Sequence, residues 1–102
     1  MKREILEGIL EELEIPYALM VHRSKPQLPF ITYFFGGSNN FFAENRVYIE
    51  QHEIGIQIVS DKKEYDLERQ LKEKLNEQMI PWEQMPDNYD STTQTFITQI
   101  NI

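Results

Sequence analysis

The residues most able to do chemistry are His22 and His52, whose ring nitrogens could bind a metal or move a proton near neutral pH. Neither has a second ligand at a spacing such as His-Glu-x-x-His, and there is no cysteine to complete a thiolate site. His52 lies in Glu50-Gln51-His52-Glu53, which reads as a solvated hairpin tip. Gly36-Gly37-Ser38 has the composition of a phosphate cradle. Such a cradle works by opening a helix whose N-terminus faces the anion, however, and here Asn39-Asn40-Phe41-Phe42 leads on towards another strand. A β-turn is the expected structure there. Ser38 could be a nucleophile only beside a base held by a third group, and the sequence supplies none. Glu11 and Glu12 fall on the polar side of a helix, where no burial raises one carboxyl into a proton donor. The expectation is a chain that is not an enzyme, with no catalytic, cofactor-binding or metal-binding residues.

Charge narrows the partners. The formal net charge is −7, and the last cation is Lys74; only Glu77, Glu83, Asp87 and Asp90 are charged after it. Gripping a phosphate backbone takes clustered Lys and Arg, so tight or specific nucleic-acid binding is not expected. Docking on an anionic membrane is disfavoured for the same reason. No apolar run is long enough for a secretory leader or a membrane span, so the expected setting is soluble and cytosolic. The lack of cysteine fits a reducing compartment. A length of 102 residues supports one domain with a modest core. Aromatic residues make up 12% of it, too many for a disordered chain.

The positioning elements follow from periodicity. Ile5, Leu6, Ile9, Leu10 and Leu13 recur at three- and four-residue steps with glutamates between them, which predicts a helix ended by Pro16. Strands are expected over Tyr17–Arg23, Phe30–Phe35, Arg46–Gln51 and Ile54–Val59, the last two joined as a hairpin. Asp61 and Glu64 have the spacing of a variant capping box for a second helix. That helix carries the stripe Leu67, Leu71, Leu75 and a Glu68–Lys72 pair at i,i+4, and Pro81 closes it. A short strand near Trp82–Met85, a polar turn over Pro86–Ser91 and a last strand over Thr95–Ile102 complete the chain. The order α-β-β-β-β-α-β-β predicts an α+β fold, a mainly antiparallel sheet with both helices on one face. Leu10–Tyr17 and Leu75–Trp82 echo each other, each a helix end running through Ile-Pro into an aromatic residue. A shared stop signal accounts for the echo.

The strand Phe30–Phe35 does not alternate cleanly: Ile31, Tyr33 and Phe35 lie opposite Phe30 and Phe34, and Phe41-Phe42 repeats the two-sided pattern. A strand apolar on both faces is usually covered on both. Two helices cover one. Either a loop or a partner covers the other, and Phe30, Tyr33, Phe35, Phe41 and Phe42 are the candidate interface residues.

Taken in order, Pro29-Phe30-Ile31-Thr32-Tyr33, Gly37-Ser38-Asn39-Asn40-Phe41, Glu44-Asn45-Arg46-Val47-Tyr48, Ile56 to Lys63, Leu67-Glu68 and Ile80-Pro81-Trp82-Glu83 form a pattern. It covers more than half of the chain. It resembles small siphophage and prophage proteins of Gram-positive bacteria that act in head–tail joining or tail completion. The resemblance implies a virion protein similar to tail terminators, present in the host cytoplasm during assembly. Such proteins form homo-oligomeric rings, often hexamers, that cap the tail tube and meet the connector. An acidic ring lumen would let DNA slide past. Two other classes stay open: a small acidic chaperone or adaptor acting as a dimer, and a small-ligand-binding or enzymatic domain, which would need a deep pocket with converging polar groups.

Overall fold

The structure, a computed structural model, describes residues 2–22, 24, 26–43 and 46–102, with the backbone alone at residue 2 and over 36–43 and 46–52. The elements are α1 (Lys2–Glu12), β1 (Tyr17–Leu19), β2 (Phe30–Ala43), β3 (Arg46–Ser60), α2 (Tyr65–Glu77), β4 (Glu83–Gln84), β5 (Asn88–Asp90) and β6 (Thr95–Asn101). The fold is α+β. Six strands form one sheet in the order β1-β2-β3-β6-β4, with β5 pairing β6 on the same side as β4. All pairings are antiparallel except β1 with β2.

Register explains the core. Ile31 faces Ile58 across β2 and β3, Tyr33 faces Ile56, and Ile56 in turn faces Ile100 on β6. Opposed residues share a face, so these side chains form one apolar layer, and each is at most 2% exposed. Both helices seal it, α1 with Leu6, Ile9, Leu10 and Leu13, and α2 with Leu71 and Leu75. Burying a side chain of this size stabilises the fold by about 1.5–3 kcal/mol each, so this layer supplies most of the stability.

Both helices stop in the same way. Glu14 and Met79 adopt left-handed φ of 58° and 56°, each followed by Ile-Pro. Leu13 N–H donates back to the Ile9 carbonyl, and Ile80 N–H to that of Leu75, closing the last turns. The echo in the sequence is thus one stop signal used twice.

Four local expectations change. Gly36–Asn40 is not a turn: β2 runs through it to Ala43, and β3 returns unbroken from Arg46 to Ser60, joining two expected strands. Glycine appears here because the register slips by one between Phe35 and Gly37, leaving Gly36 as the extra residue of a bulge. The chain from Asn88 to Asp90, expected as a turn, adds a short strand to the β6 edge. Helix α2 begins at Tyr65 with Glu64 as N-cap and no side-chain cap bond, so the capping box does not form. Nor does Glu68 pair with Lys72; Glu68 is buried and Lys72 donates to Gln84 Oε1 instead.

Candidate assembly surface

The five aromatic residues singled out for an interface do not share one face. Tyr33 is 2% exposed and belongs to the core beneath α1, its hydroxyl donating to Glu7 at 2.9 Å. Burial first, and that carboxylate second, push its pKa up. Phe35 continues the same face past the end of the helix layer and is 45% exposed, with the Arg3 guanidinium 5.8 Å from its ring centre. Phe30 lies on the opposite face, half-buried, with the His22 ring edge-on at 4.9 Å. The side chains of Phe41 and Phe42 lie outside the described residues; their backbones pair with Ile49 and Val47.

The face away from the helices is built in rows. Phe30, Val59 and Ile97 form one row across β2, β3 and β6; Thr32, Gln57 and Gln99 form the next; Phe34, Gly55 and Asn101 the third. Gln57 donates to Gln99 at 3.2 Å, and Gln99 to Asn101 at 3.0 Å, so the centre is a hydrogen-bonded amide ladder. Phe34's ring lies across Gly55, where an added Cβ would come within 2.4 Å of its tip. Apart from buried Gly55, these residues are half-buried, and no described element lies over the face. An amide ladder between apolar ends tolerates water and also suits a wet interface.

The hairpin extends well beyond the sheet. β2 pairs with β1 only over Ile31–Tyr33, and β3 with β6 only over Gly55–Ser60. From Gly37 opposite Glu53 to Ala43 opposite Arg46, the two strands pair only with each other among the described residues. Seven residues of strand reach roughly 23 Å at about 3.3 Å per residue. The molecule is accordingly long, 49 × 31 × 26 Å.

A charged network is anchored on a buried carboxylate. Glu68, 4% exposed, lies at the start of α2 with Oε1 3.1 Å from Lys63 Nζ and 3.3 Å from the Gln84 amide that donates to it. Lys63 Nζ also donates to Asp87 at 2.7 Å and to Thr98 at 3.0 Å, joining α2 to the β4–β5 edge and to β6. Burial alone would lower the Lys63 pKa; Asp87 and Glu68 outweigh it and hold it above its ordinary value. Glu68 Oε2 is buried without a hydrogen-bond partner. The sequence offers Lys72 as the partner of Glu68 at i,i+4, whereas the partners it takes, Lys63 and Gln84, come from outside its own helix.

The remaining candidates have local partners. His22 Nε2 lies 3.1 Å from the Ile31 carbonyl, the geometry of a donated hydrogen bond. Glu11 accepts from the Tyr17 hydroxyl and Glu12 from Lys74, both at 2.7 Å. His52 and Ser38 face each other in the hairpin register, their side chains outside the described residues. Among the described residues no cluster of three or more His, Asp or Glu could hold a metal. None of their helices is long and apolar enough to cross a membrane. No family model matches the chain, and no curated protein matches it significantly.

Proposed function

We propose that this chain is a non-enzymatic assembly protein of a tailed-phage virion, acting in head–tail joining or tail completion. The observation that carries the reading is the two-stranded ribbon from Gly37 to Glu53, which leaves the sheet and has no further strand beside it among the described residues. A ribbon of two strands is marginal in water and gains stability from a third strand or a packed surface. Its outer edges carry backbone donors and acceptors arranged to pair with another chain. An arm of this kind suits an assembly protein, which gains from pairing with other chains. The sheet face without a covering layer, with its amide ladder between apolar ends, supports the same reading. The family resemblance in the sequence supplies the kind of assembly: a ring at the junction of tail tube and connector, in contact with their subunits.

Co-sedimentation tests the reading. Purified protein is mixed with tail tubes lacking their terminator and pelleted, beside a variant in which residues 36–53 are replaced by Asn-Gly. Full-length protein should pellet with tubes and the shortened variant should stay in the supernatant. Failure of both to bind tubes and connectors, or a stable dimer indifferent to them, overturns the junction role. The dimer would favour an adaptor.

A further inference from the structure

We propose that the groove between α1 and α2 docks a helix of a different protein, one with an apolar anchor residue flanked by Lys or Arg. The inference stands apart from the junction reading, since it concerns the helix layer and neither the arm nor the open sheet face. The groove encloses about 310 Å³; Ile5, Gly8 and Ile9 of α1 are its apolar lining, and Glu4, Glu12 and Glu77 its acidic one. Gly8 is unexplained by the chain itself. Glycine inside a helix is disfavoured against alanine. Yet among the described residues no heavy atom lies within 4 Å of where a Cβ at position 8 would stand. Packing within the chain therefore does not call for glycine there, whereas bare backbone lets a second helix approach closely. Ile5, one turn away, is 37% exposed and adds apolar area to that approach.

Spacing and charge identify the occupant. Glu4, Gly8 and Glu12 follow one another at four-residue steps, so they share one stripe of α1, about 12 Å from first to last at 1.5 Å per residue. The complement of that stripe is a helix with an apolar residue over Gly8 and a cation about one turn to either side. The groove's three carboxylates stand against one ammonium, that of Lys74, which is already bonded to Glu12 at 2.7 Å. Glu12 is also the last residue of α1 and Glu77 the last of α2, and the last turn of α1 has no basic residue. The negative ends of two helix dipoles thus add to the carboxylates, and a cationic helix complements the sum. A helix from a second copy does not, because α1 and α2 each contain more acids than cations.

The test titrates the isotope-labelled full chain with an alanine-rich peptide of about 16 residues, long enough to be helical, with a central leucine and a lysine four positions to each side. The backbone amide resonances of Gly8 and Gln78 should shift and saturate, with weaker binding as salt rises. Peptides with glutamate for both lysines, or serine for the leucine, should bind at least about tenfold more weakly. Gly8→Leu fills the groove and should lose at least about tenfold in affinity for the first peptide. Gly8→Ala should raise the melting temperature of the free protein yet weaken peptide binding, opposite changes that a merely structural glycine would not give. Glu4→Gln with Glu77→Gln should weaken binding and flatten its salt dependence while leaving the melting temperature nearly unchanged. A lysine–leucine peptide that leaves Gly8 unmoved, a glutamate peptide that binds as well, or a folded Gly8→Leu variant that binds like wild type overturns the proposal. So does a Gly8 resonance that shifts on concentrating the protein without peptide, which would make a second copy the occupant.

Discussion

The β2–β3 hairpin lives under two conditions along its length. From Phe30–Phe35 and Ile54–Ser60 it forms the middle of a sheet, flanked by β1 and β6 and roofed by two helices. From Gly37–Ala43 and Arg46–Glu53 the same two strands continue with only each other among the described residues. The inner half places Ile31, Tyr33, Ile56 and Ile58 in a dry layer. Stability therefore resides in the inner half, and the outer half is a structure whose remaining valences await something else. What separates them is the neighbours, since β-propensity reflects packing more than an intrinsic preference of the backbone.

Cutting the two halves separately should break the comparison or secure it. The largest effect is expected from Leu71→Ala or Ile56→Ala, each removing a side chain with 0% exposure and leaving a cavity between sheet and helix. A loss of about 3–4 kcal/mol in urea unfolding is expected. Lys63→Met comes next: it strands the Glu68 carboxylate, which is already short of one partner, and should cost about 3 kcal/mol. Glu68→Gln should cost less, because Lys63 keeps Asp87. Gly55→Ala forces the Phe34 ring off the sheet into water and should cost about 1 kcal/mol, with Phe34→Leu in the same chain recovering part of it. Replacing residues 36–53 by Asn-Gly should change stability by less than about 1 kcal/mol, since the arm has no further strand to lose. A large loss on that replacement would show that the arm folds back onto the body.

The smallest effect is at alkaline pH. The hydrogen bond to Glu11, then burial, push the Tyr17 pKa from 10.0 up to about 12. A folded pKa above the unfolded one means that folding favours the protonated hydroxyl. The contribution is complete below about pH 10 and disappears as pH rises from there to about 12. Tyr17→Phe should flatten the stability profile across that window, read by thermal melts at fixed ionic strength.

The helices were legible because their signals are local. Leu6, Ile9, Leu10 and Leu13 repeat at helical spacing, and the Ile-Pro stops need no information from the rest of the chain. The α+β class and both helices on one face followed from element order. The arm was not legible, because Gly36-Gly37-Ser38-Asn39-Asn40 has turn chemistry, and only pairing with Glu50–Glu53 turns it into strand. Tyr33 looked available because an aromatic on a two-sided strand carries no mark of which face the helices take. Glu68 is the same lesson in a polar residue: Lys63 and Gln84, which bury and bind it, come from before the helix and from β4.

Strand β6 is made after the other five strands of its sheet and sits inside it, between β3 and the β4–β5 edge. A nascent chain can form α1 and the long hairpin, yet until residues 95–101 leave the ribosome the layer lacks Ile100 and the Lys63–Thr98 bond. The apolar flank of β3 stays open until then. Closure of the body thus follows the arm, which is finished some fifty residues earlier and, at about 5–20 residues per second, emerges several seconds before the core that carries it.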